Sequence, residues 1–174
     1  MAKNVGKIFE QDISKCVPEY AGIMRLPDAA QSFGGESNNL RFSRKNPCDY
    51  IMWNPQSLTP YALEMKTTQE NSISFARSAE QSGAIKYHQI VGLSEIDKIG
   101  EIVCGFIIEF RTEPRTIFVR ISDFMKLMNT ITKKSFRIKD LDTYNIPYIV
   151  IPQTLLKTHY RYDIDYFLTE TALH

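Results

Sequence analysis

Apolar and polar positions along this chain of 174 residues switch between two periods, and the switches mark its elements. Val5, Ile8, Phe9, Ile13 and Cys16 fall on one stripe of a wheel turning roughly 100° per residue, which predicts a helix from about Asn4 to Val17. Glu10 lies just beyond that stripe and Asp12 within it. Tyr50-Ile51-Met52-Trp53 is a short β-branched and aromatic run, and Tyr61 to Lys66 is a second. Asn54-Pro55-Gln56-Ser57 and Thr59-Pro60 read as the turn between them, which predicts a hairpin. A linker rich in Ser, Gln and Asn, Thr67 to Ser74, leads to a helix expected from about Ala76 to Leu93. Ile102 to Phe110 is almost continuously apolar, the mark of a strand buried on both faces. Arg111 to Arg115 turns the chain into an alternating strand, Thr116 to Ile121, after which Ser122 is the expected cap of a helix carrying Phe124, Leu127 and Met128. Tyr144 to Ile151 and the crowded Tyr160, Tyr162, Tyr166 and Phe167 read either as an exposed interface or as a final strand closing the core. Helix, three or four strands and a crossing helix predict an α/β fold, a mixed β-sheet flanked by helices, in one domain over 1–174.

Composition narrows the class. Hydrophobic content of 43% argues against disorder. The three cysteines have no metal-ligand spacing and cannot all pair, so a reducing cytoplasm is the simpler expected home. No apolar run is long enough to span a bilayer, and no signal peptide is expected behind Lys3-Asn4. The three histidines form no zinc or triad constellation, which turns attention from serine-hydrolase and metalloprotease chemistry. Net charge is only +1, yet the cations cluster at Arg41/Arg44/Lys45 and at Lys133/Lys134/Arg137/Lys139. Such clusters are either solvated faces or a track for a phosphate backbone. The near-neutral total then predicts a surface segregated into basic and acidic sides.

Chemistry concentrates between Asn46 and Lys66. Asp49 opens the first strand of the hairpin and Glu64-Met65-Lys66 closes the second. Alternation places Glu64 and Lys66 on one strand face, with Tyr61, Leu63 and Met65 on the other. A closed hairpin could bring Asp49 beside the Glu/Lys face. Two carboxylates and an ammonium on one small surface suit metal-assisted phosphodiester hydrolysis, because hard divalent cations take oxygen ligands and polarise phosphoryl oxygens. Lys66 would orient or deprotonate the attacking water, or neutralise charge in the transition state. The alternative is a surface ion pair between Glu64 and Lys66, with Asp49 a turn residue.

Pro47-Cys48-Asp49 followed by Glu64-Met65-Lys66 resembles the PD-(D/E)xK nuclease superfamily, and further segments resemble the RecU-type Holliday junction resolvases. These are Gly6-Lys7-Ile8-Phe9-Glu10, the run Ile85, His88-Gln89-Ile90 and Leu93, Lys134-Ser135-Phe136-Arg137, and Arg161 to Tyr166. They recur in order from residue 6 to residue 168.

The resemblance implies a restriction-endonuclease-like core and roles for individual residues. Asp49 and Glu64 would be metal ligands for Mg²⁺ or Mn²⁺, with the backbone carbonyl of Met65 a third. Lys66 would be the catalytic lysine, Gln89 would orient Lys66 or the water, and Glu10 would complete the acidic cluster through metal-bound water. The wheel leaves Asp12 open as the inward acidic group instead. Lys7, Arg41, Arg44, Lys45, Lys133, Lys134 and Arg137 would contact DNA. Implied partners are a four-way DNA junction, a second copy of the chain in a homodimer, and a recombinase. Relatives carry a projecting basic stalk where this chain has a Gly- and Asn-rich stretch, so a flexible loop or reduced stalk is expected at about 18–46. That departure leaves two other readings: a PD-(D/E)xK endonuclease of restriction-like or phage DNA-processing type, and a non-catalytic branched-DNA-binding recombination factor.

Overall fold

A computed structural model describes residues 4–27 and 46–172. In chain order these form α1 (Val5–Lys15), β1 (Gly22–Arg25), β2 (Tyr50–Asn54), β3 (Thr59–Thr68), β4 (Ile73–Ser74), α2 (Tyr87–Asp97), β5 (Val103–Phe110) and β6 (Arg115–Arg120). There follow α3 (Ile121–Thr130), β7 (Ser135–Phe136), α4 (Ile138–Thr143), β8 (Ile149–Ile151), β9 (Gln153–Leu155), β10 (Tyr160–Tyr162) and α5 (Ile164–Ala172). Six strands make the central sheet in the order β1-β2-β3-β5-β6-β8. Only the β3–β5 pair is parallel, so the sheet is mixed as the sequence predicts. The intervening α2 is the crossover that a parallel pair requires. Pairs β4–β7 and β9–β10 form two small outlying sheets.

Each face of the central sheet carries its own apolar layer. Ala62, Cys104, Phe106 and Ile108 point to one side, where α2 and α3 contribute Ile90, Leu93, Phe124 and Leu127. Tyr61, Leu63, Met65 and Ile107 point to the other, against Phe9 and Ile13 of α1 and Phe167 and Leu168 of α5. All eight residues of β5 are buried, which is why its sequence lacks alternation.

Several boundaries differ from expectation for identifiable reasons. Asn4 is the cap of α1, its Oδ1 accepting from the Lys7 N–H (3.3 Å), and the helix stops at Lys15. Thr59 and Pro60 belong to β3 rather than to the turn. There β5 has not yet joined, leaving β3 the open edge on which a strand tolerates proline. The helix expected from Ala76 starts only at Tyr87. Phe75 instead bridges Ile85, and a Cβ on Gly83 would lie 2.7 Å from the Phe75 and Ala76 backbone, so this stretch is a tight loop. Ser122 is no cap: the chain enters α3 directly at Ile121, whose side chain is buried while Ser122 is exposed. The stretch expected as a loop from residue 18 contains β1, paired with β2. Of the C-terminal aromatics, Tyr162 and Phe167 are core while Tyr166 is exposed, and β8 is a short strand at the sheet edge.

Candidate active site

The β2–β3 register pairs Tyr50 with Leu63 and Ile51 with Ala62. Continued by one residue, it sets Asp49 opposite Glu64, on the side of the sheet covered by α2. Hairpin closure therefore does what the sequence suggested. Both strands are interior to the sheet, because β1 adds outside β2.

Glu64 is the centre of the arrangement, with 1% of its surface exposed. Lys66 Nζ donates to Glu64 Oε1 over 2.6 Å, and Gln89 Nε2 donates to the same oxygen. Asp49 is within hydrogen-bonding reach of the Glu64 carboxyl. Burial is the largest influence on that carboxyl and Asp49 adds to it, so Glu64 is pushed up to about 8 against the pull of Lys66. Two carboxylates in contact under a low-dielectric layer cannot both stay charged without cationic help. The neighbouring Cys48 thiol is likewise raised to about 11, chiefly by burial and then by Glu64 and Asp49.

Gln89 is held by local backbone chemistry. It occupies the third position of α2, and its Oε1 accepts the Lys86 N–H at the helix start (2.9 Å). This is half of a capping box. With its oxygen so engaged, the amide presents Nε2 to Glu64. A residue here must accept at one end and donate at the other, which glutamine does and glutamate does not. Close approach of α2 to the Asp49 segment depends on Gly92, where a Cβ would lie 2.6 Å from the Pro47 carbonyl oxygen.

Glu10 stands apart from this group. It projects from α1, on the opposite side of the sheet, and accepts from Tyr50 Oη (3.0 Å) with Arg25 Nε at 3.5 Å. Asp12 is buried near Tyr162, with Lys15 at 3.9 Å. Of the two, Glu10 is the one beside the strand that Asp49 opens. Among the described residues no three Asp, Glu, His or Cys side chains are grouped so as to hold a metal ion. Asp49 and Glu64 are a two-carboxylate donor pair, and the Met65 backbone follows Glu64 directly.

The proposed DNA contacts divide. Arg41, Arg44 and Lys45 lie outside the described residues. Lys7 is exposed on α1. Lys133, Lys134 and Arg137 flank β7 and are exposed, and β7 packs through Phe136 on the Glu64 side of the sheet. Lys133 is paired with Asp140 (2.8 Å), which removes part of its charge from that surface. Arg77 fixes this segment from behind, donating to the carbonyls of Met128 (2.6 Å), Ile131 (2.5 Å) and Lys133 (2.9 Å). The sequence gives no hint of Arg77 in this role, since its carbonyl partners lie more than fifty residues away.

A further buried carboxylate, Glu109, escapes notice in sequence, being embedded in the apolar run of β5. Glu109 accepts from Thr67 Oγ1 (2.6 Å) and from Tyr162 Oη (2.8 Å). Both its oxygens are thereby engaged within the fold, which makes it a structural tie between β3, β5 and β10.

No protein-family model matches the chain. It is 30% identical over 135 residues to the SPbeta prophage-derived uncharacterized protein YotM of Bacillus subtilis (strain 168), a match covering 76% of this chain. The chain spans 64% of the length of that relative. Among solved structures it is similar, at TM-score 0.47 and 14% identity, to Hjc of Archaeoglobus fulgidus, a Holliday junction resolvase from an archaeal hyperthermophile. That similarity covers 79% of this chain and 93% of Hjc.

Proposed function

We propose that the chain is a Mg²⁺-dependent, structure-selective DNA endonuclease of the PD-(D/E)xK kind, acting on four-way junctions as RecU-type resolvases do. The observation that carries this reading is the convergence of Asp49, Lys66 and Gln89 on the buried Glu64. A structural ion pair would need Glu64 and Lys66 alone. Burial, and after it the additional carboxylate of Asp49, raises the Glu64 pKa and makes the pair costly to keep ionised. A cation between Asp49 and Glu64 would relieve that cost, and Mg²⁺ is commonly held by one or two carboxylates together with water and phosphate oxygens. Mn²⁺ suits the same donors.

Asp49 and Glu64 would hold the ion, with the Met65 carbonyl as a further donor. Held there, a divalent cation would polarise a phosphoryl oxygen and lower the pKa of a bound water. Lys66, whose Nζ donates to Glu64 over 2.6 Å, would orient the attacking water and offset charge developing on the phosphate. Gln89 keeps the Glu64 carboxylate in one orientation. Glu10 would act at longer range, through solvent, from its anchor on Tyr50. Lys7, Lys133, Lys134 and Arg137 would meet phosphates without reading sequence. Arg41, Arg44 and Lys45 are proposed to do the same.

Two active sites in a homodimer would match the approximate two-fold axis of a four-way junction, which must be cut on two strands. A recombinase partner belongs to the same proposal, as does a cytoplasmic setting. The prophage origin of the relative favours phage DNA processing as the second reading, with another branched or linear substrate. Cleavage of a labelled four-way junction beside linear duplex of the same arm sequences separates them. Paired symmetric nicks in the junction alone are expected. Equal cutting of the duplex would keep the nuclease and discard the junction. Binding without any cutting would make the chain a branched-DNA-binding accessory factor.

A further inference from the structure

Asp12 is only 8% exposed, yet the fold does not satisfy its carboxylate. Among the described residues no group donates a hydrogen bond to it. Its ion partner, Lys15, stands at 3.9 Å with a side chain that is 74% exposed. The nearby Tyr162 hydroxyl is given to Glu109 instead (2.8 Å). A carboxylate withdrawn from water is ordinarily hydrogen-bonded or closely paired, and a loose contact with a solvated ammonium offsets little of its desolvation.

Asp12 lines a cavity of about 800 Å³ between the C-terminal half of α1, the residues that follow it to Glu19, and the β9–β10 hairpin. Clefts of that size hold a whole ligand. Glu19, Asp163 and Asp165 line it as well, so four carboxylates face the cations of Lys15 and Arg161, with His159 also in the wall. Asp163 caps the Tyr166 N–H (2.9 Å) and Asp165 accepts from Tyr20, bonds that leave their charge in place. The chemistry that answers such a cavity is an organic cation.

The strand bordering it has an open edge. Leu156 N–H donates to the His159 carbonyl (2.8 Å), and this closing bond sets the alternation of the ladder. Tyr160 and Tyr162 therefore turn their backbone N–H and C=O groups away from β9. The Tyr162 N–H is taken by Cys16 Sγ (3.4 Å). Two residues earlier on the same edge, Tyr160 lines the cavity, and its outward N–H and C=O have no partner among the described residues.

We propose that this groove docks an extended segment of a partner protein, its backbone laid along the Tyr160 edge and a Lys or Arg side chain reaching Asp12. An added strand satisfies the open backbone groups, and a cationic side chain gives Asp12 the charge-assisted hydrogen bonds it lacks. A free small cation would meet Asp12 but not the strand edge. Tyr160, Tyr162, Cys16 and Val17 belong to the apolar layer on the α1 side of the sheet, opposite the face that carries Glu64. The inference is thus independent of the nuclease reading.

The ¹⁵N-labelled chain is titrated with a short capped alanine peptide carrying one central arginine, and with the same peptide carrying glutamine or glutamate there. Saturable amide shifts centred on Tyr160, Cys16 and Asp12 are expected, with the arginine peptide binding about tenfold or more tighter than the glutamine peptide. Asp12→Asn is expected to reduce the arginine peptide to the level of the glutamine one. No shift at Tyr160 with any peptide would overturn the proposal, as would equal binding of the arginine and glutamate peptides. Undiminished binding of the arginine peptide to Asp12→Asn would overturn it too. Capped arginine alone binding as tightly as the peptide would replace the docked strand with a small-cation site.

Discussion

Glu64 combines near-complete burial, a second carboxylate from Asp49, and two donors from Lys66 and Gln89 on one oxygen. In the metal-free protein it holds a proton up to about pH 8, whereas in the unfolded chain it releases that proton near its ordinary value of 4.5. Between those pH values the folded state binds more protons, so metal-free stability falls as pH rises. Glu64→Gln removes this dependence. Thermal unfolding in EDTA at pH 5 and pH 8 is expected to show a drop for wild type and a much smaller drop for Glu64→Gln. Identical drops in the two proteins would place the titration elsewhere. At this scale the D…E-x-K spacing was legible because strand alternation converts it directly into a shared face. The amide orientation of Gln89 was not, since it depends on the Lys86 N–H at a helix start that the sequence pattern put eleven residues too early.

Among the elements, the hairpin and α2 do most to assemble the site. The hairpin was readable from two apolar runs separated by turn residues, and so was β5 from its unbroken apolar character. What could not be read was packing at a distance. The 76–86 stretch has helical composition, yet Gly83 against Phe75 and the β4–β7 pairing hold it as a loop. Contact between α2 and the Asp49 segment passes through Gly92, beside the Pro47 carbonyl. Gly92→Ala gains helix propensity of about 1 kcal/mol but forces α2 away from Pro47. The expected outcome is net destabilisation on the order of 1–3 kcal/mol in urea unfolding, with DNA cutting reduced more than DNA binding. A stabilised variant with normal cutting would show that the close approach carries no weight.

Across the whole molecule, a mixed sheet divides two apolar layers. One lies under α2, α3 and the basic β7 segment, the other under α1 and α5. No helix among the described residues is long and apolar enough to cross a membrane. A net charge of +1 leaves DNA attraction to local clusters rather than to the total. Lys134→Ala combined with Arg137→Ala is expected to weaken binding to junction and duplex alike. It should also reduce the slope of log affinity against log salt by about 2, near 0.9 for each phosphate no longer neutralised. An unchanged slope would assign the β7 cluster to a solvated face.

The most direct test of the account compares wild type with Asp49→Asn, Glu64→Gln and Lys66→Ala on one labelled four-way junction, with Mg²⁺ and with EDTA. Cutting and binding are measured on the same samples. Wild type is expected to cut only with Mg²⁺, and each variant to lose on the order of a thousandfold in cutting rate while binding the junction within a few fold of wild type. Cutting by Glu64→Gln at the wild-type rate, or by wild type in EDTA, would contradict a metal-dependent centre built on Asp49 and Glu64.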